Sequence, residues 1–157
     1  MSDNVRMFRV RPRLALLMGE RKDSIHVSQA LQQAEKGLEK LRESCLEGLD
    51  RALDEMEGLV AQWPASAEAI YILSGKMIDV TGPAEAKGVE VAARSLCDIL
   101  DQGGGSDAKR LEAVKVHVAS LRLLHRSSAP PEMQAQILGG LAQVATSLGV
   151  TDEAASA

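Results

Sequence analysis

Residues 28–62 read SQALQQAEKGLEKLRESCLEGLDRALDEMEGLVAQ, and apolar residues recur there at Leu31, Ala34, Leu38, Leu41, Cys45, Leu49, Ala52, Met56 and Leu59. Steps of three and four place them all on one face of a helix, so the stretch predicts one long amphipathic helix. Glu35, Lys36, Glu39, Lys40, Arg42, Glu43, Glu47, Asp50 and Arg51 fill the other side as a solvated surface, with Glu35 and Glu39 repelling and Glu47 and Arg51 attracting at helical spacing. Trp63-Pro64 breaks the pattern, because proline disfavours helical geometry in the residue before it.

The same reading extends towards the C-terminus. Ser66 is placed as the N-cap of a second helix that runs to about Thr81 and stops at Gly82-Pro83. A third begins near Ala84, turns Val89, Ala93, Leu96 and Leu100 inward, and ends at Gly103-Gly104-Gly105-Ser106. Asp107 opens a fourth, with Leu111, Val114, Val118 and Leu121 inside, reaching about His125. Pro131 fits the first position of a last helix carrying Met133, Ile137, Leu141, Val144 and Leu148, closed by Gly149. Residues 150–157 read as a disordered tail. Towards the N-terminus, residues 1–24 form a basic arm in which Val5, Phe8, Val10, Leu14 and Leu17 alternate with arginines. It reads either as a solvated tail or as a segment packed across one end of the bundle or offered to a partner.

The chain has 157 residues, 45% of them hydrophobic and 25% charged, the balance of one soluble globular domain. Aromatics make up only 2%, and a Leu, Ala, Val, Ile and Met composition favours helices, which excludes an all-β sandwich or barrel. Helices joined by short connections, spanning residues 25–149, predict an all-α, antiparallel up-and-down helical bundle: a four-helix core plus an extra helix or arm.

Charge and motifs narrow the function. The net charge of −4 argues against nucleic acid as partner, although the first 22 residues hold six basic against two acidic groups, +4 there and −8 over the rest. No apolar run approaches the roughly 18–20 residues that cross a bilayer, and residues 14–18 lack the form of a secretory signal, so a cytoplasmic protein with no membrane partner is expected. Cys45 and Cys97 fall on helical stripes and read as small buried hydrophobes. The triple glycine lacks the preceding strand and the Gly-Lys-Ser/Thr ending of a phosphate loop. Neither Glu-x-x-His pairs nor a nucleophile elbow occur, so no metal, cofactor or enzymatic activity is expected. His117 stands at the edge of an apolar stripe, either as a partly buried structural histidine or as a phosphoacceptor or ligand.

The second helix is the most informative element. Ile70, Leu73, Met77 and Val80 take the core face, which sets Tyr71, Ser74, Gly75 and Ile78 on the opposite side as an outer patch without charge at its centre. Gly75 costs about 1 kcal/mol relative to alanine within a helix, a cost offset if another backbone comes close. Either the last helix or the arm covers this patch, or a partner does.

Tyr71-Ile72-Leu73-Ser74-Gly75, the helix stop at Gly82 and the following VEVAARSLCDIL at residues 89–100 together resemble histidine phosphotransfer domains, four-helix bundles whose second helix carries His-x-Leu-Lys-Gly. Leu73 matches the buried leucine and Gly75 the glycine that lets a receiver domain dock. Tyr71 stands in the phosphoacceptor slot and Ser74 in the slot of the lysine that stabilises the phosphoryl group. Residues 92–100 (AARSLCDIL) and 114–124 (VKVHVASLRLL) also look like those of the CheE-like proteins encoded beside bacterial chemotaxis genes. Tyrosine forms no phosphoramidate, so the resemblance implies a pseudo-phosphotransfer module. It would dock a response-regulator receiver domain or a histidine kinase through Tyr71, Ser74, Gly75 and Ile78, steered by Lys76 and Lys87, without passing on phosphate. Two alternatives stand beside it: a true phosphotransfer protein that uses His117, and a homodimeric structural bundle whose two-fold contact is the outer patch.

Overall fold

The structure is a computed structural model that describes residues 27–102, 104–126 and 130–150; the basic arm at residues 1–24 lies outside the described residues. The chain divides into two units, Met1–Gly37 and Leu38–Ala157. Of the first, residues 27–37 are described; they are the opening turns of a helix, and all are exposed. The second holds the bundle.

Five helices, and no strand among the described residues, make up the fold: α1 (Val27–Val60), α2 (Ala67–Ala84), α3 (Lys87–Gln102), α4 (Asp107–Arg126) and α5 (Pro131–Ser147). The expected helical bundle is present. α3 is its hub, packing against α2, α4 and α5. Its inner row, Val89, Ala92, Ala93, Leu96 and Ile99, is buried, and the two alanines keep that row slim where neighbouring helices meet it, since interaxial distance follows side-chain size at the contact.

α1 departs from the expected pattern. Its buried residues are Cys45, Leu49, Leu53 and Met56, whereas Leu31, Leu38 and Leu41 are exposed and Ala52 is half-buried. An apolar period defines a face, but burial also requires an element across from it. The buried row steps by four, four and three, close to the true helical repeat, while the row from Leu31 to Leu41 keeps the seven-residue repeat, so Leu53 replaces Ala52 in the core.

The junctions also differ from expectation. The Ser66 side chain makes no cap bond; its hydroxyl donates instead to the Leu59 carbonyl at 2.7 Å, tying the start of α2 to the end of α1. α2 runs through Gly82 and Pro83, although the proline has no N–H to bond back one turn, and ends where Glu85 turns left-handed at φ 55°. The Glu85 and Ala86 N–H groups then donate to the Gly82 and Thr81 carbonyls, both at 3.0 Å, closing the helix end. α3 accordingly starts at Lys87. In α5, Met133 is half-exposed, not inward, and Val150 is buried against Ile99, Ala113, Ala145 and Leu148. Residues 151–157, the rest of the expected tail, lie outside the described residues.

An ion-pair cluster fixes α4 to α1. The Arg122 guanidinium donates to Glu57 at 2.8 Å and Asp50 at 3.3 Å and also meets Asp54, while His125 Nε2 lies 3.3 Å from Asp50. The three carboxylates stay half-exposed or more, and screening limits what they contribute. Arg122→Ala should cost about 1 kcal/mol in urea unfolding at low ionic strength, a loss that shrinks in 1 M salt.

Candidate functional site

Along one side of the bundle α2, α3 and α5 enclose a half-open groove of about 610 Å³. α2 contributes Tyr71, Gly75 and Ile78; α3 contributes Val91, Arg94, Ser95 and Asp98 from a single i, i+3, i+4, i+7 row; α5 contributes Leu138, Leu141, Ala142 and Thr146. The lining is mainly apolar with a few polar groups, and the volume lies in the range of pockets that hold a ligand or the anchoring side chains of a partner.

The sequence-predicted patch is one wall of this groove. Tyr71 is 45% exposed, and Gly75 and Ile78 are half-buried. A Cβ built on Gly75 meets nothing within 4 Å, so no part of the described chain takes up the room that the glycine leaves. α5 forms the facing wall rather than a cover. Lys76 and Lys87 are exposed but outside the groove walls.

Ser74 requires correction. It was expected on the outer face, yet it is fully buried and its hydroxyl donates to the Ile70 carbonyl at 2.9 Å. On a helix whose outer face is bordered by α3, the position between Leu73 and Gly75 rolls inward, and back-bonding one turn earlier satisfies the hydroxyl. Cys97, expected to be buried, is half-buried on the groove wall. Burial and the nearby Asp98 carboxylate push its thiol pKa up, opposed by a hydrogen bond with Ser74 and by the Arg94 charge.

His117 is fully buried behind the α3 wall. Nδ1 lies 2.9 Å from the Ala113 carbonyl, which can only accept, so Nδ1 carries the proton and Nε2 accepts from the Ser95 hydroxyl at 3.0 Å. Both ring nitrogens are engaged, and a phosphoacceptor role would require the side chain to leave this position. Ser95 beside His117 juxtaposes a hydroxyl and a base, but Ser95 sits mid-helix, where the neighbouring N–H groups are committed to carbonyls one turn back instead of forming an oxyanion hole. The pair bonds α3 to α4.

Burial lowers the His117 pKa below its ordinary value, and the bond to Ala113 only partly opposes this. Below about pH 6.5 the unfolded chain binds a proton that the folded chain resists. The stability present above that pH should therefore be lost progressively as pH falls through the lowered folded value. Thermal unfolding between pH 7.5 and pH 5 should show this slope in the wild type and a flatter one in His117→Gln.

The groove residues on α3 and α5 carry no sequence signal of their own. The Val91, Arg94, Ser95, Asp98 row reads as an ordinary helix flank, and only the packing of α2 and α5 on either side makes it a floor. Among the described residues no group of three or more His, Cys, Asp or Glu side chains is placed to hold a metal ion, and no helix is long and apolar enough to cross a membrane. Comparison with known proteins finds no matching family model, no matching curated protein and no matching solved structure.

Proposed function

We propose that this chain is a non-catalytic docking module for a response-regulator receiver domain in two-component or chemotaxis signalling, built on an antiparallel up-and-down bundle of the phosphotransfer type. The observation that carries the reading is the pairing of an exposed Tyr71 with an unfilled Gly75 on the wall of an apolar groove. Gly75 weakens its own helix, and nothing in the described chain occupies the space it leaves; an incoming backbone would use that space. The groove receives apolar anchors of the partner, which gain free energy by leaving water.

The module works by occupancy. Tyr71 stands where the phosphotransfer family has its histidine, and a phenol forms no phosphoramidate. Ser74, in the lysine slot, is buried beneath the patch and offers phosphate no charge. A bound receiver is thus shielded without being dephosphorylated through this chain, and the consequence is competition with, or sequestration from, an active phosphotransfer partner.

The test is calorimetric titration of the full chain against a panel of purified receiver domains from chemotaxis and two-component regulators, with transfer of labelled phosphate followed in parallel. A saturable complex with no label on this chain is the expected result. Label that disappears in His117→Gln would instead establish phosphotransfer, and a dimer in sedimentation that Tyr71→Glu dissociates, with no receiver bound, would establish the structural alternative.

A further inference from the structure

The end of the groove is closed by the last three described residues. α5 stops at Ser147; Leu148 follows, and Gly149 at φ +81° turns the chain so that Val150 folds back towards α3. Such a φ is open to glycine and strained for other residues. Val150 lines the groove between α2, α3 and α5, whereas Leu148 lines a second groove of about 510 Å³ between α4 and α5, with Ala113, Val116 and Val144. Beneath both lie Ile99, which is fully buried, and Ala145, 7% exposed, which pack with them in one small cluster separate from the main core. Four backbone bonds hold the segment: the Leu148 and Val150 N–H groups donate to Ala145 at 3.0 and 3.2 Å, the Gly149 N–H donates to Thr146 at 3.0 Å, and the Gly104 N–H donates to Leu148 at 2.9 Å.

We propose that residues 148–150 are a strap that partitions the two grooves and opens without unfolding the bundle, joining them into one continuous apolar channel over Ile99 and Ala145. The strap is held by the small satellite cluster and four backbone hydrogen bonds at the end of α5, not by the main core, which is the make-up of a segment that opens locally. The glycine at the turn gives the chain its hinge. Opening lengthens the surface open to a partner, so the strap sets how long a segment the groove accepts; this consequence rests on the docking role proposed above, while the opening itself does not.

Two measurements on the full chain test it. In native-state hydrogen exchange, the Val150 and Gly104 amides should exchange at least about 100-fold faster than the Leu96 amide, with rates independent of low urea concentrations. In titration with bis-ANS, Val150→Ala and Gly149→Ala should bind the dye several-fold more strongly than wild type while far-UV dichroism stays unchanged. Exchange of both amides only at the rate of global unfolding, or dye binding equal to wild type in both folded variants, overturns the strap. Failure to bind any receiver domain bears on the docking role alone, and an opened strap with no receiver bound separates the two.

Discussion

Gly75→Arg is expected to abolish receiver binding, by at least about 30-fold or about 2 kcal/mol, while the protein stays as stable as wild type or gains slightly. The two halves of that result come from the same geometry. A Cβ at residue 75 meets nothing within 4 Å, so the new side chain leaves the helix into open space at its first carbon, and its flexible remainder extends over a half-open groove. Replacing glycine inside a helix by a better helix former contributes up to about 1 kcal/mol of stability. The same side chain then stands in the groove beside Tyr71, where it blocks close approach of a partner backbone and places a charge against apolar anchors. Urea unfolding and calorimetry on one preparation read both halves. A receiver affinity unchanged in the folded variant would remove this face from the docking surface.

The second large effect separates two leucines on one helix. Leu53 is fully buried, whereas Leu38, which periodicity alone assigns to the same apolar face, is 66% exposed. Leu53→Ala should cost about 2–5 kcal/mol, the lost transfer free energy together with the cavity left among Leu49, Met56 and their neighbours. Leu38→Ala should change stability by no more than about 0.5 kcal/mol, because alanine is at least as good a helix former and little packing is lost. Chemical denaturation with a common slope for the three proteins measures the difference directly. Equal costs at the two positions would mean that the first half of α1 is as buried in solution as the second.

This contrast marks where sequence reasoning reaches its limit. The five helices and their approximate ends follow from local chemistry: the three-and-four spacing of leucines, Pro131 at a helix start, and glycines at Gly103 to Gly105 and Gly149. The errors occur where a residue's fate depends on what stands opposite. Ser66 resembled a cap but bonds back to Leu59, and Gly82-Pro83 resembled a stop but lies within the last turn of α2. The candidate site divides in the same way. Tyr71, Gly75 and Ile78 were legible because an uncharged, glycine-bearing row is unusual on a solvated helix. Ser74 is buried against that expectation because a row of four defines a face only to within a quarter-turn, and the packing of α3 decides which edge of that face is covered.

By itself, the sequence determined that this chain is helical, where its helices lie, and which short row on the second of them is unlike a solvated surface; these depend on hydrogen bonds and side-chain contacts within a few residues. The tertiary structure alone decided that α3 is the hub, that His117 is sealed behind Ser95, and that Tyr71 and Gly75 overlook a groove whose floor and far wall come from two other helices. Concavity belongs to no single segment. It arises from the distance between helix axes, which depends on how alanines such as Ala92 and Ala145 meet side chains distant from them in the chain, and no periodicity along one helix encodes that meeting.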